Sequence, residues 1–276
     1  MTAAGSGGGL DERQDSALIA LALDAAYEAA KILAPGFRHR PVAEHKGVVD
    51  LVTEFDRASE AYLTERLVRE TGFACVGEEA GGERAKNPAD PTWYVDPLDG
   101  TTNFVHGHPF YCVSIGLTVN GAPRLGVVFA PELALEWTGV AGRSATRNGT
   151  ACRVSATTAF DAAMLGTGFP YDRKTSPDNN FDAFVALKKQ VQAVRRCGSA
   201  AIDLCFVADG TYDGYWERKL RPWDLAAGAA IVLGAGGQLS SFEGMSPDLL
   251  QGHLVATNGK IHAALVRALQ TVRPGP

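Results

Sequence analysis

The 276-residue sequence predicts a fold of the α+β / α/β class, with an antiparallel sheet in its first half and a smaller mixed sheet in its second. Three observations carry this. Apolar residues first recur at helical spacing. They then fall into short β-rich runs separated by Asn-Gly turns. The second half alternates strand-like and helix-like segments, the pattern of a sheet covered by helices.

Leu18, Ala22, Ala25, Ala26, Ala29 and Ile32 mark a first helix over about 15–33, which Pro35 and Gly36 should end. A second helix is expected over about 53–69, with Ala58, Tyr62, Leu63 and Leu67 near one face. Residues 73–76 and 92–95 read as strands, the latter stopping at Asp96, and the Gly-rich, charged stretch 79–90 reads as an exposed, mobile loop. Segments 111–119 and 125–129 are strands joined at Asn120-Gly121, a hairpin signal, followed by 135–140 and a turn at Asn148-Gly149. Later strands are expected at 164–167, 193–196, 212–216, 238–241 and 254–256, and helices at 179–190, 199–208, 224–234 and 260–271. This divides the chain into a disordered lead-in (1–14), an N-terminal half (15–150) and a C-terminal half (151–276), with a site between the halves.

Composition narrows the class. The chain is 46% hydrophobic, enough for a core without disulfides, and its net charge of −5 lacks the basic excess of a dedicated nucleic-acid binder. Cys75, Cys112, Cys152, Cys197 and Cys205 are odd in number and scattered, which reads as reduced thiols in a cytoplasmic protein. No apolar run reaches the ~20 residues that span a bilayer, and residues 1–9 lack the basic and apolar regions of a signal peptide.

The strongest local signal is Trp93-Tyr94-Val95-Asp96-Pro97-Leu98-Asp99-Gly100-Thr101-Thr102-Asn103-Phe104. An apolar strand ends at an acidic residue, and Pro97 restricts it to extended geometry. Asp96 and Asp99 therefore leave the sheet close together. Two such carboxylates repel unless a cation or a proton lies between them. Beside the hydroxyls and N–H groups of Thr101 and Thr102, the pair suits Mg²⁺ and phosphate, since Mg²⁺ takes oxygen ligands and shares them with phosphate. Taken alone the motif reads first as an acidic Asp-Gly turn that only caps local structure. Glu78 and Glu79 close the strand before it, and Asp224 starts a later apolar helix, where it can also serve as a plain N-cap.

Together, Gly77-Glu78-Glu79, the motif from Asp96 to Phe104, Gly198-Ser199-Ala200-Ala201 and Trp223-Asp224-Leu225-Ala226-Ala227-Gly228 resemble the inositol monophosphatase family, in order and separation, over about 16–272. The resemblance implies a layered αβαβα sandwich of the sugar-phosphatase type, a homodimer, lithium sensitivity and two or three Mg²⁺ per active site. It implies that Glu78 and Asp96 with the Leu98 carbonyl hold a first metal, that Asp96, Asp99 and Asp224 hold a second, and that Glu78 helps hold a third through water. Thr101 with Glu78 would prepare the attacking water. The Gly100, Thr101 and Thr102 backbone would cradle phosphate. Asp99, Gly198, Ser199, Ala200, Glu217 and Asp224 would meet the substrate. Lys46, Asp50, Thr53, Asp56 and Glu79 would support the site. The implied reaction is metal-assisted, in-line hydrolysis of a small phosphorylated polyol or sugar, myo-inositol monophosphate foremost. Fructose-1,6-bisphosphatase, histidinol-phosphatase and nucleotide 3′-phosphatase activities stay open within the superfamily, as does a regulatory, RNA- or transcription-associated role on the same scaffold.

Other features read as structure. His106, His108 and Cys112 are too few for a closed zinc site. The run Leu233 to Gly237 follows a helix, where a dinucleotide loop needs a strand. Ser199 lacks a nucleophile elbow and reads as an N-cap. Arg195, Arg196, Arg218, Lys219 and Arg221 read as solvated charge, of which some can attract an anionic substrate.

Overall fold

The computed structural model describes residues 10–39, 41, 43–45, 51–87 and 89–272. Helix α1 (Glu12–His39) is followed by the short antiparallel pair β1 (Glu44–His45) and β2 (Leu51–Val52), then by α2 (Glu54–Thr71). Seven strands form the first sheet in sequence order: β3 (Ala74–Gly77), β4 (Thr92–Asp99), β5 (Cys112–Val119), β6 (Ala122–Ala130), β7 (Leu135–Val140), β8 (Ser144–Arg147) and β9 (Thr150–Ala151). It is antiparallel except where β3 runs parallel to β4. The six-residue α3 (Thr101–His106) follows β4 directly. The second half supplies β10 (Met164–Thr167), α4 (Phe181–Lys188), β11 (Ala193–Arg195), α5 (Ala200–Ala208), β12 (Gly214–Glu217), α6 (Pro222–Gly234), β13 (Gln238–Ser240), β14 (Leu254–Thr257) and α7 (His262–Thr271). Its five-stranded sheet, ordered β11-β10-β12-β14-β13, is parallel around β10 and antiparallel around β14.

Strand alternation builds three cores. Trp93 and Val95 point from β4 toward Ala26 and Leu33 of α1 and Leu63 and Leu67 of α2. Tyr94, between them, points the other way, into a core shared with Leu204 of α5, Ile231 of α6 and Tyr215 of β12. Trp216, next along β12, faces a third core with Leu187 of α4 and Leu265 of α7. The layers are therefore helix, sheet, helix, sheet, helix, the αβαβα sandwich that the sequence resemblance implies.

The middle layer lies unusually close to the first sheet. Gly116, Gly126 and Gly139 face one another across β5, β6 and β7. A β-carbon on Gly116 or Gly126 would overlap the backbone of Ala227 in α6, and one on Gly139 would approach the Ile231 Cα to 2.7 Å. Three missing side chains in register thus form a groove that takes the helix itself. That seating fixes where the N-terminus of α6, with Asp224, arrives.

Several expectations are corrected. α1 begins inside the expected lead-in and continues through Pro35 and Gly36. Pro35 removes one helical hydrogen bond, but packing outweighs it: the ring of Phe55 occupies the space where a Gly36 side chain would lie, and Phe37 stacks 5.0 Å from Tyr111. β4 does not stop at Asp96 but runs on to Asp99. Asp224 is not the N-cap of α6. It lies at the third helical position, and Arg221 caps. Both Asn-Gly turns are as expected, with positive φ at Asn120 (55°), Gly121 (72°), Asn148 (49°) and Gly149 (72°). Residues 1–9, expected to be disordered, lie outside the described residues.

Replacing Gly126 by Ala should destabilise the fold by about 1–3 kcal/mol, as overpacking does. Urea unfolding checks this; a midpoint equal to that of the parent would refute the groove.

Candidate active site

Asp96 and Asp99 are an odd number of residues apart, so a regular strand would send them to opposite faces. The pairing of β4 with β5 prevents this. Asp96 pairs with Ser114 and Asp99 with Cys112, so β4 carries one extra residue there. The bulge restores the phase and turns both carboxylates to the face that carries α5 and α6. Gly100 follows with φ 101°, a left-handed conformation, and α3 starts at Thr101.

Each aspartate is held by one oxygen. Asp96 Oδ1 accepts from the Leu98 N–H at 2.9 Å. Asp99 Oδ2 accepts from the Ser199 hydroxyl and the Ala201 N–H, both at 2.7 Å, and so ties β4 to the start of α5. Ser199 in turn caps α5, its Oγ accepting from Ile202 N at 3.3 Å. Asp224 Oδ2 accepts from the Arg221 N–H at 2.6 Å. Glu78 stands just past β3, in a turn held from behind by Glu60 of α2. The buried Glu60 carboxylate accepts from the N–H groups of Glu79 (2.7 Å) and Ala80 (2.6 Å).

Thr101 Oγ1 lies 3.2 Å from Asp56 Oδ1 and 3.1 Å from the Leu98 carbonyl oxygen, and this pair of acceptors shares its single proton. Asp56 is buried, and its other oxygen accepts from the N–H (2.9 Å) and hydroxyl (2.5 Å) of the cap residue Thr53. With its proton directed inward, Thr101 can only accept from the cavity side.

Glu78, Asp96, Leu98, Asp99, Gly100, Thr101 and Asp224 line one end of a cavity of about 490 Å³. Its other walls are Gly198, Ser199, Ala200, Asp203 and Glu217, the segment from Thr167 to Asp172, and the basic residues Arg196, Arg218, Lys219 and Arg221. Burial pushes the Asp96 carboxyl well up, and Glu78, Asp99 and Asp224 push it further. Asp224 is raised by burial and then by Glu78 and Asp99. Asp99 is raised by burial, against the opposing pull of its bonds to Ser199 and Ala201. The walls also carry anion-attracting charge. Arg218 pairs with Asp178 at 3.2 Å, and Lys219 with Asp172 at 2.8 Å.

The carboxylate end fits a hard divalent cation by its chemistry: every side-chain donor is oxygen, and the raised carboxyls are those that a positive charge would relieve. As placed, no three His, Cys, Asp or Glu side chains among the described residues meet around one point, as mutual repulsion of bare carboxylates favours.

Of the residues singled out in the sequence, Glu78, Asp96, Leu98, Asp99, Gly100, Thr101, Gly198, Ser199, Ala200, Glu217 and Asp224 share this cavity. Thr53 and Asp56 stand behind Thr101. Thr102 is exposed on α3 and, like Glu79, is outside the cavity wall. Lys46 and Asp50 lie outside the described residues. His106 and His108 flank the C-terminal end of α3, away from the cavity wall. Sequence reasoning missed Glu60 and Asp203. Their signal is an acid on a buried helix face: Glu60 lies with Asp56, Ser59, Leu63 and Leu67, and Asp203 is the single charge in α5.

Comparison with known proteins agrees with this geometry. The profile of the inositol monophosphatase family matches residues 14–273. The chain is 46% identical over 220 residues to an inositol-1-monophosphatase of Synechocystis sp., covering 80% of this chain and 77% of that protein. It is 40% identical over 263 residues to the Nus factor SuhB of Pseudomonas aeruginosa, covering 93% and 97%. The structure of an inositol monophosphatase from Anabaena superposes with a TM-score of 0.85 at 40% identity, covering 94% of this chain and 97% of that one. The chain belongs to the inositol monophosphatase family and is a phosphoric monoester hydrolase.

Proposed function

We propose that this protein hydrolyses a small phosphorylated polyol, myo-inositol monophosphate foremost, with Mg²⁺ as its metal. The observation that carries this is the gathering of Glu78 from just past β3, Asp96 and Asp99 from β4 and Asp224 from α6 into one cavity that also holds Glu217. Glu78, Asp96 and the Leu98 carbonyl would hold one ion, and Asp96, Asp99 and Asp224 a second, with Glu78 contributing to a third. Bound there, divalent ions acidify water and neutralise charge on the transferring phosphoryl group. The chain's own residues do the rest. Thr101 accepts a hydrogen bond from the attacking water and, with Glu78, aims it at phosphorus. The backbone of Gly100, Thr101 and Thr102 would cradle the phosphate, with Gly100 and Thr101 in the cavity wall itself. Ser199, Ala200 and Glu217 receive the alcohol. The sequence resemblance supports extending this reading to a cytoplasmic, lithium-sensitive homodimer. No described helix is long and apolar enough to cross a membrane.

The likeness to Nus factor SuhB supports a second reading, a transcription-associated role beside the hydrolysis. Retention of all four acidic residues favours the enzyme as the primary one.

With Mg²⁺, the protein should release phosphate from myo-inositol 1-phosphate faster than from fructose 1,6-bisphosphate, histidinol phosphate or a nucleotide 3′-phosphate. EDTA should abolish the release; a chain inactive on all four would refute the proposal. Asp99→Asn should lower kcat by about 10²–10³-fold while the circular-dichroism spectrum and unfolding temperature stay near the parent's. Normal activity in that variant would refute its role.

Glu217 predicts a pH effect on stability. Burial pushes its carboxyl up to about 7 from 4.5, against the bond from Tyr215 and the attraction of Arg196. The folded state therefore holds the proton more tightly than the unfolded chain does. Its contribution to stability is full below about 4.5 and is lost as pH rises through about 7. The shift corresponds to on the order of 3 kcal/mol. In chelator, Glu217→Gln should flatten the fall in unfolding temperature between pH 5 and 8. An unchanged slope would contradict the assignment.

A further inference from the structure

α5 is apolar from Ala200 to Ala208 except at Asp203. The Asp203 side chain is 2% exposed, yet it belongs to the wall of the active-site cavity, beside Ser199, Ala200 and Glu217. Its Oδ1 has no hydrogen-bond partner among the described residues. Two other buried acids in this chain, Asp56 and Asp213, have both oxygens occupied. Asp56 accepts from Thr101 and Thr53. Asp213 likewise accepts from Ser155 at 2.6 Å and from the Met164 N–H at 2.7 Å. An acceptor left open in a buried group is costly unless something brings a donor to it.

Asp203 lies in the part of the wall built by α5 and β12, where burial raises its carboxyl and Glu217 and Asp99, close by, raise it further. Its neighbours there are mostly acceptors too. Glu217 accepts from the Tyr215 hydroxyl through Oε2 and faces the same space. Burial pushes both carboxyls up, Glu217 adds to the effect on Asp203, and Arg196 attracts both. Two carboxyls on one wall call for two donors on the ligand. Hydroxyls on neighbouring carbons of an alcohol supply them; an aryl or simple alkyl alcohol does not.

We propose that Asp203 is a specificity-determining residue whose carboxyl, in the cavity wall beside Glu217, receives a second hydroxyl of the substrate's alcohol portion and selects polyhydroxylated phosphates over those with a plain alcohol. The proposal rests on the phosphatase reading above and deepens it. Asp203 takes no part in metal binding or in delivering water, so its loss should spare turnover of a substrate without hydroxyls. It should penalise only those with hydroxyls to offer, and a missing partner at a hydrogen-bonding site weighs more than lost surface contact.

The test compares myo-inositol 1-phosphate with phenyl phosphate, each with Mg²⁺, in the parent, Asp203→Ala and Asp203→Asn. For Asp203→Ala, KM for the polyol phosphate should rise about tenfold, with kcat within twofold and phenyl phosphate kinetics unchanged. Asp203→Asn keeps the shape and an acceptor oxygen, and should restore KM to within about threefold of the parent. Deoxy analogues of the polyol phosphate supply an independent arm that needs no folded alanine variant. Removing one hydroxyl should raise KM in the parent, and Asp203→Leu should erase that difference. Equal losses on both substrates, or deoxy penalties that persist without Asp203, overturn the proposal. So does a larger effect on an amino-alcohol phosphate, which would make the wall a cation subsite. A parent protein that hydrolyses neither substrate refutes the phosphatase reading itself, and this proposal with it.

Discussion

Repulsion among buried carboxylates is the constraint that the rest of the molecule answers. Beyond the rise that burial gives, Glu78, Asp99 and Asp224 raise the pKa of Asp96, and Glu78 and Asp99 raise that of Asp224. Left to short-range electrostatics they would separate. They are held near one another by the packing of the elements that carry them. α6 rests on the backbone of three strands because Gly116, Gly126 and Gly139 leave it room. α5 packs beside α6, where Gly228 meets Leu204 without an intervening side chain. The acidic ends of these elements arrive in the cavity as a consequence of that burial.

Within this frame each acid divides its work. Asp96, Asp99 and Asp224 each use one oxygen to fix their own turn or a neighbouring helix. A further ring of acids and hydroxyls acts from behind. Glu60 holds the turn of Glu78, and Asp56, held by Thr53, shares the proton of Thr101. α2 therefore contributes to the site without entering it, which explains why polar residues occupy its buried face.

Much of this was legible in the sequence. The strand order of the first half followed from apolar alternation and two Asn-Gly turns, and the acidic motif stood out because an apolar strand led into it. What stayed hidden depends on contacts between distant segments. Pro35 looked like a helix end because Phe55, which packs against the adjacent Gly36, lies some twenty positions away in the chain. The bulge in β4 could not be read from β4 alone, since it is defined by the register against Cys112 and Ser114. The three glycines are unremarkable singly and form a groove only after β5, β6 and β7 pair. Asp203 carries no mark in the sequence beyond being the single charge of α5, and the cavity beside it exists only in the fold.

The hydrogen bonds that tether one oxygen of each aspartate also bear on how a cation would be received. Free carboxylates on flexible arms lose rotational freedom when they close on an ion, and that loss is subtracted from affinity. Here much of it has already been met during folding, by the backbone donors of Leu98, Ala201 and Arg221. Loading this protein then calls for small movements of side chains that are already anchored, since the described carboxylates do not yet meet around one point. It also means that heating or denaturant should erode ion affinity in step with the fold, not ahead of it.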